Sequence, residues 1–570
     1  MDKYTDLQHP SYVPGTFNIY SNGPVEGDSL ARQALGIKKD PNGVVLVPQP
    51  SDSPNDPLNW SNWRKILHFA LMAFITAFTA ATSNDAGATS ESLHDIYGIT
   101  YDSMNMGAAV LFLGVGWSAL LFSPLPSLFG RKVTYIICIT LGLFGAMWFA
   151  MATRTSHVIW SQLFVGMSES CAEAHVQLSL SDIFFQHQLG SVLTVYIMAT
   201  SIGTFLGPLI AGYIATLTDF RWVGWCAVII SGFLLIWIVF GCEETYFDRS
   251  LYQTPLTVIS GHSSDEEDNK CTAYAGTSTG VEKRSIADVN NTELNERVVM
   301  INTQLIDGAE EPPKPYIRRI RLITRATNFR GWGVQQYFKY LGLNLRMFLF
   351  PPVWLSGLYW GSQDVFLSFY LTTQDTNFYD EPWNYSTYGV AIMNVPTLLG
   401  AVVGCMYAGV ISDVFVLWLA RRNNGILEAE FRLYFAAIAG ITGTIGLILF
   451  GYGAARALPW PAVYIGLAFI GFTWGSFGDI AMAYLMDCYP EMVLEGMACT
   501  AVINNTLSCI FTLTCSYLLD TYGNKSTYLA LGILNLAITL LAVPMFLYGK
   551  QIRTWSKPWY IQSVQIRDTL

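Results

Sequence analysis

The chain has 570 residues, of which 52% are hydrophobic and only 13% are charged. Ordinary soluble proteins are about one quarter charged, so this composition indicates a membrane protein with several transmembrane segments. The formal net charge of -10 argues against nucleic acid as a partner, because phosphate binding requires a basic surface. The ten cysteines form no CxxC pair, which predicts buried thiols rather than a metal site, and no cofactor is expected.

Runs of about 20 apolar residues predict transmembrane helices. The polar N-terminal region lacks the pattern of a cleaved signal peptide, so the first span is expected to insert the chain. Six spans are predicted before a long polar interval, at 65–86, 104–124, 133–153, 158–181, 190–217 and 222–242. Six more are predicted after it, at 348–373, 387–412, 432–453, 459–486, 494–519 and 526–549. The predicted fold is an all-α polytopic membrane protein of about 12 transmembrane helices in two six-helix halves.

Basic residues set the orientation of such a chain, and here they lie on one side of the alternating spans. They are Arg64–Lys65, Arg131–Lys132, Arg421–Arg422, Arg432 and Lys550, Arg553 and Lys557. That side is predicted to be cytosolic, with both chain ends on it. Two N-glycosylation sequons, at Asn384 and Asn524, fall on the opposite side, as glycosylation requires.

These boundaries predict five parts of the chain. They are a cytosolic N-terminal tail (1–63), an N-terminal half (64–243), a central cytosolic loop (244–346), a C-terminal half (347–549) and a cytosolic C-terminal tail (550–570). The loop is acidic early, in SSDEED, and basic later, in RRIRLITRATNFR. The basic part and the GWGVQQYFKYLGLNLRMF that follows predict either a segment along an anionic inner leaflet or a solvated linker. Two six-span halves joined by a loop are typical of a transporter.

Carboxylates inside the predicted spans are the strongest functional signal. A carboxylate at mid-span costs about 2.5–3.5 kcal/mol on insertion scales, so such residues usually face a cavity and take part in function. They occur in spans 1, 4, 7 and 10, at Asp85, Glu169, Glu173, Asp364 and Asp479. These spans are the first of each group of three, which inverted-repeat symmetry gathers around one central path. Since no span carries an interior Lys or Arg, the sequence predicts a site for a cation between the halves.

Glu169 and Glu173 are four residues apart and therefore share one helix face. The pair is predicted to hold a proton, a cation, or each in turn; the alternatives are protonated acids that serve helix packing, and a proton relay without substrate contact. Asp364 and Asp479 are candidates for a second amine, Asp479 also for proton exchange, and Asp85 for attracting substrate at the outer mouth. Five aromatic residues near these acids are weaker candidates for lining a cationic path: Trp360, Tyr370, Trp474, Phe477 and Tyr484.

Motifs at several separated points resemble the major facilitator superfamily, and within it the fungal twelve-span drug:proton antiporter branch. NDPLNWSNWRK is similar to that branch's entry to the first span. Gly130, Arg131 and Lys132 match the family's loop between spans 2 and 3, where Ser127 stands in place of its acid. The equivalent loop of the second half contains Gly409, Asp413, Arg421 and Arg422. The resemblance implies that these loops latch helices on the cytosolic face and control opening.

In the fifth span, GTFLGPLIAG resembles the antiporter motif, in which Gly207 and Pro208 imply close packing and a bend. In the fourth span Gln162 replaces an Arg that the family ties to proton coupling, while the family's glycine is kept at Gly166. The chain as a whole most resembles the high-affinity polyamine importers of yeast. The resemblance implies a proton-coupled transporter of the plasma membrane, expected to be a monomer, that imports spermidine, spermine and putrescine.

Two other functions stay open from the sequence. One is a drug:proton antiporter that exports cationic compounds, which the fifth-span motif favours. The other is a non-transporting nutrient receptor that signals through the central loop. An enzyme is not expected, because the sequence contains no nucleophile–base arrangement, metal-ligand spacing or nucleotide-binding loop.

Overall fold

The structure, a computed structural model, describes residues 12–18, 38, 46, 48–252, 311–379 and 381–570. The acidic SSDEED of the predicted loop lies outside these residues. The described chain is almost entirely helical, and its long helices follow the predicted spans in order.

Six long helices form the N-terminal half. They are α1 (Asn62–Asn84), α2 (Tyr101–Phe122), α3 (Arg131–Ala150), α4 (155–183), α5 (Gln186–Leu217) and α6 (Arg221–Gly241). α4 consists of Thr155–Ser170, a π turn at Cys171–His175, and Val176–Ile183. The π turn adds a residue to the helix at the level of Glu173, a device that is frequent at functional sites.

The C-terminal half repeats this plan. Its helices begin with α7 (Pro351–Asn377), α8 (394–422), α9 (Tyr434–Arg456) and α10 (Trp460–Cys488). α8 consists of Asn394–Met406, a π turn at Tyr407–Ile411, and Ser412–Arg422. The helical stretch Val493–Leu540 is divided at Gly523, whose backbone is not helical (φ 72°, ψ 161°), into α11 (493–522) and α12 (524–540). A C-terminal helix, Ala542–Thr569, follows.

Shorter elements connect these helices. They are Pro57–Asn59, Gly87–Thr89, Ser90–Tyr97, Leu125–Phe129, Arg249–Leu251, Tyr316–Arg319, Val334–Arg346, Met347–Leu349, Thr387–Ile392, Ala429–Leu433 and Pro490–Met492. β1 (Thr16–Asn18) and β2 (Ile426–Glu428) form a two-stranded antiparallel sheet, with Phe17 opposite Leu427. This sheet joins the N-terminal segment to the C-terminal half.

The two halves face each other across paired helices. α2 packs against α11 and α5 packs against α8. Small residues permit the approach, because a Cβ added at Gly116 of α2 would lie 2.8 Å from the carbonyl oxygen of Ala501 in α11. We call the face that carries residues 244–252, residues 311–350 and the C-terminal helix the inner face, and the opposite face the outer face.

Nine helical stretches of the described chain are long and apolar enough to cross a membrane. The last of them, 490–569, contains both α11 and α12. α4 and α7 are not among the nine, and they are the helices that carry Glu169, Glu173 and Asp364. The two helices that carry Glu169, Glu173 and Asp364 are thus less apolar than the nine helical stretches.

The C-terminal helix continues well past the predicted end of the twelfth span. One face of it packs on the inner ends of the C-terminal half, where the buried Arg553 pairs with Glu430 at 2.5 Å. The last carbonyl, of Leu570, accepts a hydrogen bond from Gln336 at 2.5 Å. Residues 550–570 thus form part of the packed inner face.

Candidate functional site

A cavity of about 140 Å³ lies between the two halves. Its wall near the middle of the helices contains Glu169 and Glu173 of α4 and Asp364 of α7. From there the cavity extends toward the outer face, where it is lined by Asn84 at the end of α1 and Tyr101 at the start of α2. The arrangement is that of a central site open toward the outer face.

Two tryptophans join the acids of the two halves. The indole N–H of Trp360 points at Glu173 Oε1 at 3.5 Å, and the indole N–H of Trp474 donates to Asp364 Oδ1 at 3.2 Å. The two indole rings lie 4.8 Å apart. Trp474 also makes an edge contact with Phe205 of α5 at 5.6 Å. Acids from both halves therefore meet around one aromatic pair.

The remaining wall of the cavity combines apolar side chains with uncharged polar ones. Among the described side chains that line it, none is a Lys or an Arg. Hydroxyl and amide side chains are numerous: Ser83, Asn84, Ser90, Asn105, Gln162, Thr200, Thr204, Ser368, Thr372, Thr376, Asn505 and Thr512. Such groups can replace part of the hydration of an ammonium ion, while the carboxylates supply the charge.

Glu169 and Glu173 are both half-buried. Ser83 of α1 lies beside Glu169, and Trp360 lies beside Glu173, so each acid contacts a different neighbouring helix. The two acids are brought together with Asp364, which is 7% exposed. The predicted convergence of the acids of spans 4 and 7 thus has a geometric counterpart, whereas their roles stay predictions.

Asp479 does not line this cavity. It is 1% exposed and faces the π turn of α8, where a Cβ added at Gly409 would lie 2.4 Å from Asp479 Oδ2 and 1.7 Å from Thr194 Oγ1 of α5. The physical reason is helical phase, because Asp479 follows Trp474 by five residues, which is about 140° around a helix. Asp479 therefore lies at a contact between the halves on the inner side of the cavity.

Asp85 also lies outside the cavity. It is the half-buried residue that follows the last turn of α1, while its neighbours Ser83 and Asn84 line the cavity. From this position near the mouth Asp85 could attract a cationic substrate at long range, which is the role predicted for it.

Three of the five aromatic candidates do not line the cavity. Tyr370 donates to Asn394 of α8, Phe477 packs on Tyr359 at 4.7 Å, and Tyr484 is buried within the C-terminal half. Tyr370 follows Asp364 by six residues, about 240° around the helix, and so points away from it. Trp360 and Trp474 are the two aromatic candidates that line the site.

The loop between α2 and α3 contains no acid, and acidic residues from other segments hold it in place. Gly130 has φ 93°, and Glu244, just past α6, accepts from the Arg131 backbone N–H at 2.8 Å. The Arg131 guanidinium pairs with Asp182, near the end of α4, at 3.0 Å. Lys132 is buried and donates to the carbonyl oxygens of Val239 and Ile320, at 2.8 Å each. Glu244 and Asp182 take the place of the acid that is absent at Ser127.

In the second half, Asp413 pairs with Arg432 rather than with Arg421 or Arg422. The Arg432 guanidinium lies 2.8 Å from Asp413 and 2.5 Å from Asp487, and so joins the segment before α9 to α8 and α10 at the inner face. Arg421 is exposed, and Arg422 stacks on Trp418 at 4.1 Å. The spacing of the loop could not reveal that Asp413 pairs with Arg432, because Arg432 lies 19 residues away, in the short helix Ala429–Leu433 before α9.

Gly207 and Pro208 lie where α5 packs on α1. A Cβ added at Gly207 would lie 2.7 Å from Cα of Ala81, and one added at Gly203 would lie 2.1 Å from the carbonyl oxygen of Ala77. Pro208 interrupts the hydrogen-bond ladder of α5 one position later. Both sequon residues lie on the outer face, the exposed Asn384 in the turn after α7 and the half-buried Asn524 at the start of α12.

Comparisons with known proteins agree on the architecture. Residues 69–508 match the family model of the Major Facilitator Superfamily. Protein HOL1 of Saccharomyces cerevisiae is 64% identical over 588 residues, covering 100% of both chains. An uncharacterised MFS-type transporter of Schizosaccharomyces pombe is 43% identical over 561 residues, covering 98% of this chain and 95% of its own.

Among solved structures, the proton:xylose symporter XylE bound to 6-bromo-6-deoxy-D-glucose superposes with a TM-score of 0.55 at 12% identity. The match covers 86% of this chain and 96% of XylE. Likeness at this identity concerns the fold alone, and it confirms the predicted all-α fold of two six-helix halves. The relatives are membrane transporters, not enzymes.

Proposed function

The chain belongs to the major facilitator superfamily and is a multi-pass membrane transporter, and we propose that it imports organic cations across the plasma membrane. Polyamines such as spermidine, spermine and putrescine are the expected substrates. The observation that carries the proposal is the central cavity, whose described wall presents Glu169, Glu173 and Asp364 with two indole rings and no basic side chain.

The chemistry of this wall favours a substrate with several ammonium groups. At 4 Å an opposite charge contributes about 4 kcal/mol at the effective dielectric of a protein surface, so each acid can hold one amine. The faces of Trp360 and Trp474 add cation–π attraction of about 0.5–2 kcal/mol each. A polycation neutralises several acids at once, which a monovalent cation does not.

The same geometry is compatible with the direction of transport that we propose. The cavity opens toward the outer face, which we infer to be extracellular because the basic residues lie on the inner face. In an importer this is the state that loads substrate. Glu169 and Glu173 would exchange protons for amines, and Asp479, at the inner contact between halves, would couple protonation to closure. We expect the protein to act as a monomer, with both ends of the chain in the cytosol.

Uptake in living cells tests this function. Polyamine-transport-deficient yeast expressing the chain should accumulate labelled spermidine, and an uncoupler should collapse the accumulation. The Glu169→Gln/Glu173→Gln variant should lose it at unchanged surface expression. The matched control, Glu91→Gln/Asp95→Asn, removes two exposed acids that do not line the cavity and should transport normally.

Other outcomes would contradict the proposal. Absence of accumulation with the protein at the cell surface would exclude import and favour a nutrient receptor, whose output should then require residues 253–310. Energy-dependent loss of preloaded cationic drugs would favour an exporter, the function suggested by the close packing of Gly207 on α1. Normal uptake by the double variant would remove the acid pair from the site.

A further inference from the structure

The segment that leads into α7 combines a basic surface with an exposed apolar edge. Residues 311–350 contain eight Lys and Arg residues and a single acid, Glu311. We refer to residues 316–349 as the basic strip. It includes the helix Val334–Arg346 and ends two residues before α7 begins at Pro351.

The basic strip is held against the inner ends of two membrane helices, α2 and α11. Asn344 donates to Ser123 at the inner end of α2, and Cys499 of α11 donates to the carbonyl oxygen of Asn344 at 3.0 Å. Tyr337 donates to the carbonyl oxygen of Leu121 at 2.7 Å. The helix Val334–Arg346 therefore lies against the bundle at its inner boundary, not free in solvent.

This helix has a second face that the described part of the chain leaves uncovered. Gln336, Tyr340 and Leu343 are buried against the bundle. On the opposite side Val334 is 59% exposed and Phe338 is 64% exposed, and Leu345 continues the same edge one heptad after Phe338. Large apolar side chains in this pattern are unfavourable in water.

Cations flank the uncovered edge. Lys339 and Arg346 are seven residues apart and so lie on one flank of the helix, and Arg330 is exposed just before it. Trp332, which lies between Arg330 and the start of the helix, is 93% exposed. Within the described chain, no salt bridge joins Arg330, Lys339 or Arg346 to a carboxylate.

We propose that the basic strip binds anionic phospholipids of the leaflet on the inner face, with its apolar edge in the acyl boundary and its cations on lipid phosphates. A helix in the interfacial plane with one apolar edge and a basic flank is suited to this contact. Tryptophan is favoured at the same depth, where the indole is partly immersed. The charge of the strip selects anionic over zwitterionic lipid.

Cross-linking of the full-length protein tests what covers the edge. Phe338 is replaced by p-benzoylphenylalanine, the protein is reconstituted in vesicles of phosphatidylcholine and phosphatidylserine, and the adducts are identified by mass spectrometry after illumination. Adducts with phospholipid are expected. Adducts with peptides from 253–310 would overturn the proposal, because the acidic Asp265–Asp268 of this chain would then be the occupant. The absence of adducts would place the edge in water and overturn it as well.

Lipid selectivity is tested by native mass spectrometry of the protein extracted from the same vesicles. The Arg330→Gln/Lys339→Gln/Arg346→Gln variant should retain at least about fivefold less phosphatidylserine, since one basic residue near an anionic surface contributes roughly that factor. The matched control, Arg154→Gln/Arg456→Gln/Lys525→Gln, removes three exposed cations from the outer face. It should retain phosphatidylserine like the unmodified protein, and equal losses in both variants would overturn the proposal.

Discussion

The two halves contact each other by different chemistry at the two ends of the central path. Toward the outer face the halves meet through neutral side chains, as where Asn105 of α2 donates to Ser516 of α11 at 2.6 Å beside the cavity. Toward the inner face a glycine of one half packs against a side chain of the other, since a Cβ at Gly190 of α5 would lie 2.2 Å from a carboxylate oxygen of Asp413 in α8. Neutral hydroxyl and amide groups can exchange their partners for water at little cost. The inner contact instead depends on shape, so substitutions there should discriminate between conformations.

The ion pairs of Arg432 support the inner contact from within the C-terminal half. The Arg432 pairs with Asp413 and Asp487 lie within the C-terminal half and need not separate when the halves rock. They fix the inner end of α8 so that it presents Gly409 to Thr194 of α5. The outer end has no such scaffold among the residues that line the cavity. From this comparison we expect substrate to bind in the central cavity, which opens at the outer end, and the inner end to control the conformation.

The largest effect is expected from Asp364→Asn, which removes the C-terminal half's carboxylate from the cavity. Truncating one partner of a buried charge pair costs about 2 kcal/mol or more, so spermidine binding to the purified protein should weaken by at least about 30-fold. Equilibrium binding of labelled spermidine measures this. Asp102→Asn, which neutralises an exposed acid in the first turn of α2, is the matched control. Unchanged affinity in Asp364→Asn would remove α7 from the site.

Substitution of Gly409 should break the inner contact while sparing the cavity. In Gly409→Val the new side chain would collide with Thr194 and Asp479. Overpacking of about 1–3 kcal/mol shifts a two-state equilibrium by about 5–150-fold, here away from the outward-open state. Spermidine uptake should fall accordingly, and an impermeant maleimide should reach Met482→Cys from the inner face more readily.

The control for Gly409→Val is the same substitution in another membrane-spanning helix. A Cβ at Gly232 of α6 would meet no atom within 4 Å, so Gly232→Val should leave uptake and labelling as they were. An equal loss in both valine variants would mean that the glycine effect is a folding defect. Faster labelling in Gly409→Val alone would locate the conformational control at the α5–α8 contact.

Neutralising Asp479 should separate coupling from binding. Because Asp479 lies outside the cavity, Asp479→Asn should bind spermidine within about twofold of the unmodified protein, as expected for substitutions away from the ligand. Proton-driven accumulation should nevertheless be lost, since the group at the inner contact can no longer change charge. Binding and accumulation are measured on the same preparation. A parallel loss of both would place Asp479 in direct contact with substrate.

The sequence predicted the architecture well because hydropathy and charge are local properties. The twelve spans, the two halves and the acids of α4 and α7 all follow from runs of residues that can be read directly. The convergence of Glu169, Glu173 and Asp364 also follows from repeat symmetry, which places the first helix of each triplet at the centre.

Helical phase and long-range pairing could not be read in this way. Asp479 belongs to the predicted set of central helices, yet its phase turns it toward Gly409 instead of the cavity. Arg432 reaches Asp487 across 55 residues, and Glu244 supplies a contact for the α2–α3 loop from the end of α6. Such contacts depend on how helices are rotated and packed, which a single sequence does not specify.

The smallest effect is expected from substitution of Asp85, near the outer mouth of the cavity. Asp85 can act on the substrate only by long-range electrostatic attraction, because it follows α1 and does not line the cavity. Asp85→Asn should raise the apparent KM for spermidine by about twofold at low salt through weaker steering. The difference should vanish at high ionic strength, where the Debye length falls to about 3 Å at 1 M. Initial uptake rates at two salt concentrations measure this, and a salt-independent increase in KM would instead mean that Asp85 contacts the substrate directly.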